Sequence, residues 1–170
     1  FLNIPYTGST SFVLALALNK AMTKKILKAD GIPTPAFQLF SDSREPLSPE
    51  LKFPLIVKPN MEGSAKGINK SNVVYDEPGL RAKLTELLKM YRQEALVEEF
   101  IEGKELTVGI LENGKAAALP ILEIDFESAA QSGEFFYSWR MKEFQGDSTQ
   151  GLTPTFHCPA RIDGELEKLV

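Results

Sequence analysis

The sequence contains very few residues that could form covalent or metal cross-links. Its 170 residues include one cysteine, Cys158, and one histidine, His157. A single cysteine cannot form a disulfide within the chain, and one cysteine with one histidine cannot make a zinc site by themselves. This composition is typical of a cytoplasmic protein that acts on small molecules. We therefore expect a cytoplasmic location and small-molecule substrates.

Long apolar runs and an excess of positive charge are also missing. No segment approaches the ~20 apolar residues of a membrane span, and the chain does not open with a basic leader and an apolar stretch. We therefore expect neither an integral membrane protein nor an intact secretory precursor. The 19 lysines and arginines are outnumbered by 23 aspartates and glutamates, for a net charge of -4. This balance argues against a nucleic-acid partner held through its phosphates.

The remaining composition predicts a folded globular chain. With 43% apolar and 25% charged residues, the chain can bury a sizeable core. Its length corresponds to one domain or to two small lobes. Because the chain opens at Phe1 rather than Met and stops inside a predicted helix, we expect it to be a piece of a longer protein.

Apolar spacing predicts the elements of the first half. A single helix is predicted from a cap at Thr10 or Ser11 to Gly31, where Pro33 follows. Its basic residues suit the dipole at its C-terminal end without any ligand. Strands are predicted at 36–40 and 53–58, with 68–74 returning as the second arm of a hairpin. Asp76 caps a second helix that carries an apolar stripe to residue 91.

The second half is predicted to be mainly strands. They lie at 95–101, 105–111 and 115–124, and Asn113-Gly114 indicates a tight hairpin turn. From 125 to 155 no clean period is visible, which predicts a long loop with short strands. Hairpins combined with two helices indicate an α+β fold rather than a doubly wound one.

Three segments carry candidate binding chemistry. In the first, a buried strand ends at Lys58 and a loop with Gly63, Ser64 and Gly67 follows. Backbone amides and a lysine in this arrangement can hold phosphate oxygens. The helix and the spacing of a P-loop are absent, and on spacing alone a plain surface hairpin with a solvated lysine is the favoured interpretation.

The second and third segments have the same ambiguity. An extended backbone at 96–105 can pair with the edge of adenine, and a nearby carboxylate can accept the ribose hydroxyls. Taken by itself, this segment is better explained as an edge strand with solvated acidic side chains. At 135–142, Arg140 and Lys142 lie in an aromatic loop that could close over an anion. A loop that packs its aromatics against the core is the alternative.

In chain order, these segments resemble the ATP-grasp ligases, and specifically the D-alanine:D-alanine ligase family. The likeness extends over nearly the whole sequence. The similar segments are 5–9, Lys20 with 24–35, 56–59 with 62–64, 97–101 with 105–108, and 156–160. The resemblance implies an α+β ATP-grasp fold, with antiparallel sheets and packed helices in two lobes, the second lobe incomplete. It also implies three parts: 1–20 leads in from a preceding domain, 21–103 is the N-terminal lobe, and 104–170 is part of the C-terminal lobe.

The resemblance implies that several residues bind the ATP phosphates. Lys20 and Lys58 would hold them, and Lys142 would reach the γ-phosphate from a mobile loop. A second loop, residues 62–67, would close over the phosphates, and Glu62, Gly63 and Ser64 are its ATP-binding residues. Lys142 and Ser64 are the residues that the resemblance implies for catalysis.

The same resemblance implies a nucleoside pocket. Glu98 would accept the adenine amino group, while the Glu99 carbonyl and the Ile101 amide would contact the ring edge. Phe100 would help to wall the pocket, and Glu105 would bind the ribose.

The implied reaction is an ATP-dependent ligation. A carboxylate attacks the γ-phosphate to give an acyl phosphate, and an amine then displaces phosphate to form a peptide bond. The expected substrate is D-alanine, and the product would then be used in the synthesis of cell-wall peptidoglycan. Lysines and Mg2+ would stabilise the charge, and the Mg2+ ligands are expected beyond residue 170. We therefore expect the 170-residue chain alone to form no dipeptide. Family members often form homodimers through an N-terminal domain, so a homodimer is one possible state of the longer protein, whereas this piece without that domain is expected to be a monomer.

Two departures from the family pattern keep alternatives open. Glu143 stands where a tyrosine usually shapes the first amino-acid subsite, and Ala65 replaces a frequent second serine. A ligase for a different amino acid, or a nucleotide-binding module without catalysis, therefore stays an alternative. Asp125, Glu127 and Glu134 are expected to be solvated loop carboxylates rather than metal ligands.

The neighbours His157 and Cys158 could suggest a catalytic dyad. Neighbouring residues of a strand point to opposite faces, so we expect a structural role for both.

Overall fold

A computed structural model describes residues 4–127, 135–144 and 153–169. The chain forms two units, Phe1–Phe100 and Ile101–Val170, and each is described by itself. In those ranges, no helix is both long and apolar enough to cross a membrane. Glu134, one of the predicted loop carboxylates, lies outside the described residues.

The first unit combines an antiparallel sheet with helices. Its strands lie in the order β1-β4-β2-β3, and every neighbouring pair is antiparallel. In chain order the elements are α1 (Ser11–Leu18), α2 (Lys20–Ala29), β1 (Phe37–Phe40), β2 (Leu55–Pro59), a 3-10 turn (Lys70–Asn72), β3 (Val73–Val74), α3 (Glu77–Tyr91) and β4 (Ala95–Glu99).

The core of this unit lies between α3 and one face of the sheet. Asp76 caps α3 by accepting a 2.8 Å hydrogen bond from the Gly79 amide, and a proline occupies its first turn. The apolar stripe of the helix then packs on the strands, as the sequence predicts. The fully or almost fully buried members of this core are Phe40, Leu55, Val57, Leu80, Leu84, Leu87, Ala95 and Val97.

The prediction of one continuous first helix is wrong. The helix is interrupted at Asn19, which leaves the helical conformation with φ -81° and ψ 93°. Its side chain accepts a 3.1 Å hydrogen bond from the Met22 amide and so caps α2, while the Lys20 amide donates to the Asn60 carbonyl at 3.1 Å. This bond to a loop distant in sequence replaces a helical one, which periodicity cannot predict.

The return of the chain at 68–74 is confirmed, but most of it is not strand. Only Val73 and Val74 pair with β2. Before them, the buried Asn72 donates from its side-chain amide to the Val57 carbonyl at 2.7 Å and the Gly67 carbonyl at 2.8 Å. Gly67 has φ +76°, and a Cβ there would lie 2.6 Å from the Tyr91 hydroxyl oxygen, so the loop needs glycine at this position.

The second unit contains a three-stranded sheet, β5-β8-β9, and a separate hairpin, β6-β7. All three strand pairs are antiparallel. Its described elements are β5 (Glu105–Thr107), β6 (Ile110–Asn113), β7 (Lys115–Ala118), β8 (Leu122–Asp125), α4 (Trp139–Glu143), β9 (Thr155–His157) and α5 (Gly164–Leu169).

Three predictions for this unit need correction. The strands predicted at 105–111 and 115–124 are each divided in two, because the hairpin β6-β7 leaves the sheet. Pro120 lies at the second division, where it has no amide hydrogen to offer a neighbouring strand. The predicted loop 125–155 contains the helix α4, capped by the Ser138 hydroxyl. Its five residues are too few to show a helical period.

A buried carboxylate organises the second unit. Glu123 on β8 is only 3% exposed. It accepts a 2.8 Å hydrogen bond from Lys104 Nζ, a 3.1 Å bond from Arg161 Nη2 and a 2.9 Å bond from the Arg161 amide. Arg161 also contacts Asp125 Oδ2 at 2.5 Å. These contacts join the sheet to the segment that follows β9.

We expect acid to destabilise the second unit through Glu123. Hydrogen bonds from Arg161 and Lys104 lower the pKa of this carboxyl from 4.5 to about 2. As the pH falls below about 4.5, the unfolded chain takes up this proton before the folded chain does, so the stability supplied by Glu123 is lost progressively. Thermal unfolding followed by circular dichroism between about pH 7 and about pH 3 measures the effect.

The variant Glu123→Gln should show a weaker dependence of the melting temperature on pH than the unmodified chain. Glu112→Gln is the matched control, because Glu112 lies on the exposed hairpin strand β6. A melting temperature with the same pH dependence in Glu123→Gln and in the unmodified chain would contradict the prediction.

Candidate functional site

The alternation of strand residues places Lys58 and Glu98 on the face of the sheet opposite α3. Val57 and Val97 are paired across β2 and β4 and face the core. Their neighbours Lys58 and Glu98 therefore point to the other side, where they are diagonal neighbours. Lys58 Nζ donates a short hydrogen bond to Glu98 Oε1.

A second lysine binds the other oxygen of the same carboxylate. Lys24 Nζ lies 2.7 Å from Glu98 Oε2, and both side chains are 10% exposed. Lys24 Nζ also lies 2.6 Å from the Thr34 hydroxyl and 5.2 Å from the centre of the Phe37 ring. Sequence reasoning missed Lys24, because it explained the basic residues of the first helix by the dipole.

Lys20 lies one helical turn before Lys24 on the same face of α2. Its Nζ contacts the Glu62 carbonyl and lies 3.5 Å from the Asn60 carbonyl. Burial, together with the positive charge of Lys58, lowers the pKa of Lys20, while Glu62 and Glu98 oppose this change. The i, i+4 spacing of Lys20 and Lys24 was the one sequence signal that both belong to this cluster.

Glu98 stays ionised between its two lysines. Burial acts to raise its pKa, but the charges and hydrogen bonds of Lys58 and Lys24 act against burial, and the pKa lies below the ordinary value of 4.5. Two ammonium groups thus bind the Glu98 carboxylate, and the charges of Glu62 and Glu98 both act on the Lys20 ammonium group nearby. The cluster has more positive charge than Glu98 neutralises, which is the electrostatic condition for an anion site.

The loop after β2 has an unusual backbone. Ser64 and Ala65 both have positive φ, 53° and 56°, in a region that residues with a side chain rarely adopt. Glu62 accepts a 3.2 Å hydrogen bond from the Gln93 amide and pairs with Lys66 at 3.3 Å. Gly63 and Ser64 are exposed. Two successive left-handed residues are a strained arrangement of the kind found in ligand-binding loops.

The residues predicted to bind the nucleoside start at Glu98, near the end of β4. The Glu99 amide donates to the Ala36 carbonyl at 3.1 Å, and the Phe100 amide donates to the Pro54 carbonyl at 3.0 Å. Phe100 is the last residue of the first unit. Ile101 opens the second unit, and its side chain is 67% exposed.

Within the second unit, the structure brings Glu105 and Lys142 to the same segment. Glu105 Oε2 accepts a 2.9 Å hydrogen bond from the Tyr137 amide, and Lys142 Nζ lies 4.8 Å from the centre of the Tyr137 ring. Burial and the Glu105 carboxylate raise the pKa of Tyr137. The residue after Lys142 is Glu143, which is exposed at the end of α4.

The prediction that Asp125 is a solvated loop carboxylate is wrong, because Asp125 ends β8 and its side chain is only 10% exposed. His157 Nε2 lies 3.3 Å from Asp125 Oδ2, and Cys158 is exposed. Across residues 4–127, 135–144 and 153–169, no three histidine, cysteine or carboxylate side chains converge on a point where they could hold a metal ion.

The fold defines the class of protein. Solved structures similar to the chain include a D-alanine–D-alanine ligase from Bacillus anthracis complexed with ATP. The similarity has a TM-score of 0.67 and 28% identity, and it covers 98% of this chain and 47% of that chain. The antiparallel sheets and helices are those of the ATP-grasp fold, which confirms the α+β fold class predicted from the sequence.

The chain belongs to the D-alanine–D-alanine ligase family. A family model described as the D-ala D-ala ligase C-terminus matches residues 26–170. The D-alanine–D-alanine ligase of Carboxydothermus hydrogenoformans is 38% identical over 98% of this chain and 51% of its own length. That of Bordetella pertussis is 40% identical over 95% of this chain and 47% of its own length. The chain thus spans about half the length of the curated relatives it matches.

Proposed function

We propose that this chain is the ATP-binding part of an ATP-dependent ligase that joins the carboxylate of one D-alanine to the amine of another. The product is a precursor of cell-wall peptidoglycan. The observation that carries this proposal is the surplus of positive charge formed by the lysines around Glu98, beside a strained loop, in a chain of this family. Residues 21–103 form the N-terminal ATP-grasp lobe in this proposal, 104–170 form part of the C-terminal lobe, and 1–20 lead in from a preceding domain.

The phosphates of ATP bind to Lys20 and Lys58. Both ammonium groups are partly buried, so their attraction to phosphate is weakened less by water and salt than that of a surface lysine. Lys20 is held by the carbonyl of Glu62, which couples it to the loop. Gly63 and Ser64 then close over the phosphates with their backbone amides, and the Ser64 hydroxyl donates a further hydrogen bond.

Residues 98–101 and Glu105 bind the adenosine in this proposal. Glu98 accepts from the adenine 6-amino group, since a carboxylate oxygen already bonded to one lysine has a further lone pair. The Glu99 carbonyl and the Ile101 amide pair with the ring edge, and Phe100 packs against the ring. Glu105 accepts from the ribose hydroxyls through Oε1, because Oε2 already binds the Tyr137 amide.

The reaction proceeds in two displacements. A carboxylate oxygen of the first D-alanine attacks the γ-phosphorus, the bond to the β-phosphate oxygen breaks, and ADP leaves. The amine of the second D-alanine attacks the acyl carbon, inorganic phosphate leaves, and the amine loses a proton. Lys142 and Lys58 stabilise the charge on the transferring phosphoryl group. Mg2+ would neutralise further charge on the phosphates in this reaction.

Phosphate release by the full-length protein tests the proposal. We expect release from ATP in the presence of D-alanine, and none from ATP alone. Phosphate release with D-alanine, D-serine, L-alanine and glycine in turn identifies the amino-acid substrate. This panel is needed because Glu143 replaces the tyrosine that usually shapes the first amino-acid subsite. ATP binding without turnover on any amino acid would contradict a ligase and support a non-catalytic nucleotide-binding module. Turnover on another amino acid alone would contradict D-alanine as the substrate.

A further inference from the structure

The function of Lys24 is not explained by the roles proposed above. The dipole of α2 accounts for Lys25 and Lys28, which are exposed near its C-terminal end. Lys24 is buried, and its ammonium group is held by Glu98 Oε2 at 2.7 Å and by the Thr34 hydroxyl at 2.6 Å. A lysine is rarely buried to this extent unless its charge is paired.

We propose that Lys24 is a positioning residue that neutralises Glu98, so that Lys58 can bind phosphate. The proposal rests on the proposed function, since it concerns the same ATP site. Lys24 has no contact with the nucleotide in this account and acts only through Glu98.

The argument is one of charge balance. Lys58 and Lys24 bind different oxygens of one buried carboxylate. If Lys58 were its only partner, a move of Lys58 toward phosphate would leave Glu98 as an unpaired buried charge, which is strongly unfavourable. With Lys24 in place, Glu98 keeps a partner throughout, and Lys58 can share its hydrogen bonds with the phosphate at little electrostatic cost.

The surroundings of the two lysines agree with this division. The Lys58 side chain is 23% exposed, against 10% for Lys24, and so is the more accessible to a ligand. Lys24 is held by the Thr34 hydroxyl and the Phe37 ring in addition to Glu98. It is therefore the fixed partner of the carboxylate, while Lys58 is the exchangeable one.

ATP titration of charge variants by calorimetry tests the proposal. Lys24→Gln should raise the dissociation constant for ATP about five- to tenfold, which is typical of coupling within one charged network. Lys25→Gln removes the same charge one residue away on the exposed surface and should leave it unchanged. In turnover assays, Lys24→Gln should raise the KM for ATP and leave kcat within about twofold, because bound ATP and the transition state lose the same interaction with Lys58.

The Glu98→Gln background separates action through Glu98 from direct attraction of ATP. A neutral residue 98 needs no counter-charge, so Lys24→Gln should have no further effect on ATP affinity there. If Lys24 attracted ATP directly, the two backgrounds would show the same loss, and the proposal would be wrong.

A second variant tests the proposal even if Lys24→Gln does not fold. Thr34→Val keeps every charge and removes only the hydroxyl that holds Lys24, so it should weaken ATP binding by about two- to threefold. If both Thr34→Val and Lys24→Gln bind ATP with unchanged affinity, the inference is overturned. If Lys24→Gln does not fold, unchanged affinity of Thr34→Val is enough to overturn it. In either case, ATP binding by the unmodified protein still supports the proposed function. Absence of ATP binding by the unmodified protein would overturn both.

Discussion

Lys58→Ala is expected to weaken ATP binding by roughly 10- to 150-fold, the range that corresponds to losing a hydrogen bond between charged groups. Lys58 lies at the end of β2 with its ammonium group partly exposed, and it is the lysine that the proposed site directs at the phosphates. Calorimetry with a non-hydrolysable ATP analogue measures the loss. Lys89→Ala is the matched control, because Lys89 is exposed on α3, which packs on the opposite face of the sheet.

The same variant should change stability only slightly. Glu98 keeps its ion pair with Lys24 when Lys58 is removed, so no unpaired carboxylate is left. The melting temperature of Lys58→Ala should therefore stay close to that of the unmodified chain while affinity falls. Unchanged ATP affinity in a folded Lys58→Ala variant would refute the assignment of Lys58 to the phosphate site.

Glu98→Ala is expected to lower the free energy of unfolding of the first unit by about 3–5 kcal/mol, the usual result of removing one partner from a buried ion pair. Lys24 and Lys58 would then face each other without a counter-charge. Urea unfolding followed by circular dichroism measures the loss. Glu99→Ala is the control for the neighbouring position, whose carboxylate accepts a 3.3 Å hydrogen bond from the Lys52 amide.

Acid is expected to remove the contribution that Glu98 makes to the stability of the first unit. The pKa of Glu98 is lowered in the folded chain, so the folded state holds its proton less tightly than the unfolded state does. The contribution of Glu98 to stability is therefore complete above the ordinary pKa of 4.5 and is lost as the pH falls through the lowered value. Glu98→Gln should lack this component. Equal stability of Glu98→Ala and the unmodified chain at neutral pH would contradict the buried ion-pair assignment.

Local patterns in the sequence were sufficient for much of the fold. The apolar stripe of α3, its cap at Asp76 and the hairpin at Asn113-Gly114 are local features, and the structure has each of them. The strand that ends at Lys58 was predicted because its residues are apolar and β-branched. Errors arose where a distant contact overrides a local preference, as at Asn19, where the loop after β2 interrupts a helix that periodicity alone would continue.

For the candidate site, the sequence provided the residue types and their order. Lys20, Lys58 and Glu98 were identified through the resemblance of five ordered segments to a family, and the family itself is confirmed. Their roles remain proposals. Lys24 was missed because its partners, Glu98 and Thr34, lie on other elements, and a helix periodicity does not reveal which lysine is buried.

The sequence by itself therefore determined the family, the α+β class and the identity of the candidate binding residues, since these depend on residue order and on local periodicity. Only the tertiary structure decided how charge is distributed within the site. Two lysines distant in sequence from Glu98 share its carboxylate, and because Glu98 is buried it needs at least one of them as a partner. The physical reason is that the energy of a charge depends on its solvent exposure and on the charges near it, and both are set only when the folded chain brings distant residues together.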